Sequence, residues 1–195
     1  FRFGHVRQLD AVASRLLCAL TEQTPVVAGI DTERVMIDID DSIIEVHGHS
    51  KQGSGYGYSG IRGLNSVITT VTTDTAAPVI TGQRLRKGAC GSARGAARMI
   101  ADTLTTVQRL RTAAHASSDR DVSAAQPKPL LRADSAYFGY PTIGAAIRGG
   151  ADVSITTGLN SVIRAAIATI DDDTWTPIRY TNAIYDDTAE QWVSV

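Results

Sequence analysis

Four aspartates stand where their type and spacing could do chemistry. Asp38, Asp40 and Asp41 close the apolar run Val35-Met36-Ile37-Asp38-Ile39-Asp40, and Asp134 closes Leu130-Leu131-Arg132-Ala133. Side chains alternate along a strand, so Asp38 and Asp40 face one way and Asp41 the other. A lone carboxylate at the end of a buried strand is costly unless a cation or hydrogen bonds compensate it. If the two strands lie side by side, Asp40 and Asp134 converge, and their mutual repulsion calls for a cation. Mg²⁺ suits such a place, because it takes one or two carboxylates together with water and phosphate oxygens. The competing reading of these acids is structural, as caps of turns and helices, and residue types alone do not separate the two.

A second group is basic. Residues 84–111 hold Arg84, Arg86, Lys87, Arg94, Arg98, Arg109 and Arg111 against the single acid Asp102. Arg94 and Arg98, four apart, would share a helix face and could clamp phosphates. Arg84, Arg86 and Lys87, with Lys51 and Arg62 around a glycine-rich loop, could cradle a DNA backbone. The same residues could equally be a solvated face. Acidic charge collects elsewhere, in Asp171, Asp172, Asp173, Asp186, Asp187 and Glu190.

Other constellations carry less. Gly55-Tyr56-Gly57-Tyr58-Ser59-Gly60 matches a dinucleotide fingerprint with Asp74 downstream, but only Ile61, Arg62 and Gly63 separate it from the next strand-like run. That fingerprint must open a helix, so a glycine-rich hairpin is the expectation. Glu45, His47 and His49 alternate like a metal trio, yet no further ligand lies nearby, and solvent-facing strand residues are expected. Ser42 and Ser135 follow aspartates, but no histidine is placed to activate either. Cys18, on the apolar side of a helix, is read as core.

These residues must be positioned by elements that the pattern predicts. Helical spacing of Val6, Leu9, Leu16, Leu17 and Leu20 predicts a helix over 5–20, and Ala96, Ile100, Leu104, Val107 and Leu110 predict another. Strands are predicted at 35–40, with 43–47 as an extension, and at 67–73, 78–85, 130–134 and 153–156. Pro141 and Gly149-Gly150 bracket a short helix. Residues 112–129 read as a loop, 161–170 as helical and the last twenty as hairpins. Three adjacent strands, a helix and a βαβ unit together predict a mixed sheet. The hexapeptide Gly63-Leu64-Asn65-Ser66-Val67-Ile68 recurs at 158–163, and one short match is read as chance.

Composition sets the bounds. The chain of 195 residues is 43% apolar and 20% charged, long enough for a sizeable core without disulfide or metal staples. Two cysteines exclude a disulfide framework and a four-cysteine zinc site. No window approaches the roughly 18 apolar residues of a membrane helix, and no signal-peptide pattern is present. A net charge of −1 argues against a generally basic nucleic-acid binder, so any such site is local. Phe1 at the start predicts a chain processed or cut from something longer.

Asp38-Ile39-Asp40-Asp41-Ser42, Glu45-Val46-His47-Gly48, Gly55-Tyr56-Gly57-Tyr58-Ser59-Gly60, Gln83-Arg84-Leu85-Arg86-Lys87-Gly88 and Arg132-Ala133-Asp134-Ser135-Ala136-Tyr137 resemble, in order, the DDE transposases of bacterial insertion sequences, and within them the DDE domain group 1. The resemblance runs over nearly the whole chain, to Trp175-Thr176-Pro177-Ile178. It implies an RNase H-like α/β core, a mixed sheet flanked by helices, with 1–30 as a helical lead-in, 31–170 as an incomplete core and 171–195 as the start of a β-rich insertion. It implies metal-dependent DNA cleavage and strand transfer with Mg²⁺ or Mn²⁺. Asp40 matches the first family aspartate, with Asp38 and Asp41 as competitors, and Asp134 matches the second. The family's third acid is a glutamate on a helix beyond the insertion. That helix and the amino-terminal DNA-binding region are expected to lie outside this chain, which would leave it weak or inactive; Glu190 does not match. The implied partners are transposon-end and target DNA, with room for a homodimer in the DNA complex, and the implied location is cytoplasmic, at the nucleoid. The alternative function is a catalytically inactive DNA-binding remnant.

Overall fold

The computed structural model describes residues 3–48, 50–116, 126–176 and 181–193. The chain divides into two compact units, Phe1–Thr157 and Gly158–Val195.

The first unit is built on a mixed sheet. Its strands are β1 (Met36–Glu45), β2 (Gly55–Tyr56), β3 (Arg62–Thr72), β4 (Val79–Lys87), β5 (Leu130–Ala133) and β6 (Asp152–Ile155). β3 pairs antiparallel with β1 on one edge, and with β4 and the short β2 on the other. On its far side β1 pairs parallel with β5, and β5 parallel with β6. The helices are α1 (Phe3–Gln23), α2 (Ala96–Ala116) and α3 (Tyr140–Arg148).

Strand alternation decides which face is buried. Ile37 and Ile39 of β1 and Val67 and Val71 of β3 are buried, while Asp38, Asp40 and Ser42 take the opposite face. Met99, Ile100, Leu104, Val107 and Leu110 recur on one side of α2 and meet those strand residues in one cluster with Leu131, Ala146, Val27 and Ile30. Each large apolar side chain buried there contributes roughly 2 kcal/mol. Leu17 and Cys18 of α1 pack against the cluster, so all three helices serve the same sheet face. Ser14 of α1 and Thr106 of α2 share a buried hydrogen bond at 3.2 Å. Arg111 is also structural: it is 4% exposed and its guanidinium donates to the carbonyls of Ile30 and Pro127.

Several element ends differ from the sequence reading. β1 runs without a break to Glu45, because its whole length pairs with β3 from Met36↔Thr72 to Glu45↔Gly63. α2 continues through residues 112–116, which the polar composition had suggested as loop, since Ala113 still faces the core. α3 starts with Pro141 in its first turn and stops at Gly149, with Gly150 at φ 80°. The second unit holds α4 (Ser161–Ile167), capped by Asn160, whose side chain accepts from the Ile163 amide at 3.0 Å. It also holds a hairpin of β7 (Ile184–Asp186) and β8 (Gln191–Val193), with Tyr185 edge-on to Trp192. Among the described residues no helix is long and apolar enough to cross a membrane.

Candidate active site

The three acids of β1 separate by contact. Asp38 is held by Arg132 on the neighbouring β5 in a forked pair, both hydrogen bonds at 2.7 Å. Asp41 points to the helix side, where it accepts from Asn65 and from the Tyr137 hydroxyl at 3.1 Å and pairs with Arg86 at 3.3 Å. Burial pushes the Asp41 carboxyl up, but hydrogen bonds from Asn65, Ser92 and Tyr137 and the charge of Arg86 outweigh it and hold the carboxyl below the usual carboxylate range. Asp40 is exposed on the opposite face and, among the described residues, forms no ion pair; its Oδ1 accepts from the Asp41 amide at 2.8 Å.

Asp134 follows directly on β5. The parallel register ends at Ile39↔Ala133, so the next residue on each strand is Asp40 and Asp134. Both residues line one open cavity of about 440 Å³ with Asp38, Arg132, Ser154 and Thr156. The Asp134 carboxylate accepts from the Ala136 amide at 3.0 Å and starts a 3-10 turn, Ser135–Tyr137. Asp134 is thus the cap of that turn as well as a residue lining the cavity beside Asp40. This cavity sits at the carboxyl ends of β5 and β6 and beside the middle of β1, which continues to Glu45.

The basic residues come together along the edge strand β4 and the start of α2. Arg84, Arg86, Lys87, Arg94 and Arg98 all line one cavity of about 650 Å³, with Leu85, Ala89, Cys90 and Met99. Their states differ. Lys87 and Arg94 are exposed. Arg98 is exposed and pairs with Asp102 one turn on, at 3.0 Å. Arg84 is 18% exposed and paired with Asp10 at 2.5 Å. Arg86 is turned inward: besides Asp41 and Asn65, its guanidinium donates to the carbonyls of Ser92 at 3.0 Å and Arg94 at 2.6 Å. The expectation that Arg94 and Arg98 share a helix face is corrected, because α2 begins at Ala96 and Arg94 lies in the preceding turn. They still meet in the same cavity because that turn folds against β4.

The glycine-rich segment is a hairpin. Gly55-Tyr56 pairs with Arg62-Gly63, and a strand, not a helix, follows Gly60. Of the trio Glu45, His47 and His49, the first two are exposed, and His49 lies outside the described residues. What sequence reasoning missed is the buried Tyr137–Asp41–Arg86 cluster; the only signal was that Asp41 must face away from Asp40. No protein-family model matches the chain, and comparison with curated proteins finds no match.

Proposed function

We propose that the first unit is the catalytic core of a DDE-type DNA transposase, an RNase H-like sheet whose Asp40 and Asp134 hold divalent cations while residues along β4 hold the DNA backbone. One observation carries the reading. Asp40, midway along β1, and Asp134, just past the end of β5, are the residues next after the last pair of the parallel β1–β5 ladder, and both rival aspartates of β1 are paired with arginines. The sheet, antiparallel through β4, β3 and β1 and parallel through β1, β5 and β6, supports the RNase H-like assignment.

The donor set fits Mg²⁺ or Mn²⁺. Two carboxylates that no cation neutralises among the described residues open onto a shared cavity with two hydroxyls, Ser154 and Thr156, and these ions take oxygen donors. Bound there, divalent cations would supply an activated attacking oxygen and a stabilised leaving oxygen for in-line displacement at phosphorus. The protein's own part is positional. Arg132 pairs with Asp38 and offsets its charge in the cavity. Lys87 and Arg94 offer charge to phosphates, with Arg84 and Arg98 behind them. β4 is separated from β1 by β3, with Lys87 on the Asp40 face of the sheet and Arg84 and Arg86 on the Asp41 face. DNA at the nucleoid is the proposed partner, as transposon ends and target.

The test is a Mn²⁺ titration of ¹⁵N-labelled protein, read as paramagnetic broadening of amide signals, beside nicking of supercoiled plasmid in Mn²⁺. Broadening centred on Asp40 and Asp134, and its loss in Asp40→Asn, is the expected result, with at most weak nicking by the wild-type chain and none by Asp40→Asn and Asp134→Asn. DNA binding without broadening at these residues would overturn the catalytic reading and leave a DNA-binding remnant.

A further inference from the structure

Beneath the acid pair, on the helix side of the sheet, lies a polar cluster that the metal reading does not use. We infer that Tyr137, Asp41 and Arg86 form a positioning clasp that sets the spacing of Asp40 and Asp134, an inference that rests on the reading of those two acids as metal ligands.

The connectivity is direct. Asp41 is the next residue after Asp40, and Tyr137 ends the 3-10 turn that Asp134 caps. The β1–β5 ladder runs from Met36↔Leu130 to Ile39↔Ala133 and goes no further. Immediately past that end, the Tyr137 hydroxyl donates to Asp41 Oδ1 at 3.1 Å. A side-chain bond thus joins the two acid-bearing segments where the backbone ladder stops, on the face opposite to the Asp40 carboxylate. Arg86 extends the clasp. Its guanidinium reaches Asp41 Oδ2 at 3.3 Å and the carbonyls of Ser92 and Arg94. The same cluster therefore fixes the turn that presents Arg94 beside Lys87.

Packing alone does not account for this chemistry. Tyr137 is fully buried and belongs to the apolar core cluster. Phenylalanine would fill the same volume, and a buried ionic group is commonly replaceable by apolar residues without loss of stability. A hydroxyl, a carboxylate, an amide and a guanidinium gathered under two exposed acids instead serve placement. Groups that orient metal ligands from behind typically change metal affinity by about 10- to 100-fold when removed.

The test compares Tyr137→Phe with wild type and with Ser14→Ala, which removes a buried hydrogen bond between α1 and α2. Mn²⁺ affinity comes from amide broadening, stability from thermal unfolding, and local order from amide exchange in the metal-free protein. Tyr137→Phe is expected to bind Mn²⁺ about tenfold more weakly and to exchange faster at Asp40, Asp41 and residues 134–136. Ser14→Ala should match wild type in both readouts at a similar loss of melting temperature. If Tyr137→Phe does not fold, Asp41→Asn, which keeps shape and removes the charge held by Arg86, carries the same comparison. Unchanged Mn²⁺ affinity and exchange overturn the clasp and leave the metal reading standing. Wild type that binds no Mn²⁺ at Asp40 and Asp134 overturns the metal reading, and the clasp then loses its ligands.

Discussion

Asp38, Asp40 and Asp41 lie within four residues of one strand, and their environments make them three different groups. Asp38 and Arg132 form a pair that is 38% and 44% exposed on its two sides, so screening by water leaves it little net worth. Asp38→Asn should therefore cost under about 1 kcal/mol in urea unfolding. Asp41 is 13% exposed and receives a guanidinium and a phenol that would be stranded without it. Asp41→Ala should cost about 3 kcal/mol, the usual scale for breaking a buried pair from one side. Equal losses in the two variants would remove the distinction drawn between them. Strand alternation made the facing of these acids legible in the sequence. Their partners were not, because Arg132 lies 94 residues from Asp38 and Tyr137 96 residues from Asp41.

At the level of elements, the glycine-rich hairpin is where composition spoke most clearly. Six glycines within residues 48–63 predict a tight connection, and three backbones indeed cross closely. A Cβ on Gly88 would overlap the carbonyl oxygens of Gly63 and Gly55, and one on Gly63 would overlap the carbonyl of Ile44. Gly88→Ala should thus separate β2 from the end of β4 and cost about 2 kcal/mol, within the usual range for forcing atoms into a packed site. Thermal unfolding measures it, and Gly91→Ala, where a Cβ meets nothing within 4 Å, is the control that should be near neutral. The start of α2 was less legible. Arg94 and Arg98 have helical spacing, but the helix begins only where Ala96 turns into the core at 0% exposure. Periodicity marks the buried stripe of a helix; it does not mark the exposed turn before it.

Across the whole molecule, a net charge of −1 conceals opposed regions. The basic residues line one cavity beside β4, whereas Asp171, Asp172 and Asp173 belong to the second unit. DNA affinity carried by Lys87, Arg94 and Arg98 should fall steeply with salt as counterions are released. Replacing Arg94 and Arg98 together should lower the slope of log affinity against log salt by roughly 2 and weaken all duplexes alike. Fluorescence anisotropy over a salt series reads it. An unchanged slope would assign these arginines to solvent. Arg86→Ala acts differently, by releasing the turn at 91–94 from the sheet, and its effect should appear in stability as well as in affinity.

The repeated hexapeptide separates what is local from what is not. In the first copy Asn65 is 3% exposed within β3 and bonds Asp41 and Arg86; in the second, Asn160 caps α4 and Val162 is 73% exposed. One string of residues is a buried strand in one unit and a helix start in the other, because β1 and β4 offer the first copy two partners to pair with. By itself the sequence determined the periodic elements, the glycine turns and the alternation of acids along β1, all of which arise within a few residues. Only the tertiary structure decided that β1 and β5 are neighbours, that Arg132 and Arg86 take Asp38 and Asp41, and that Asp40 is left facing the cavity with Asp134. Those outcomes depend on which strands share a ladder, and that pairing is set by burying one sheet face under α1, α2 and α3.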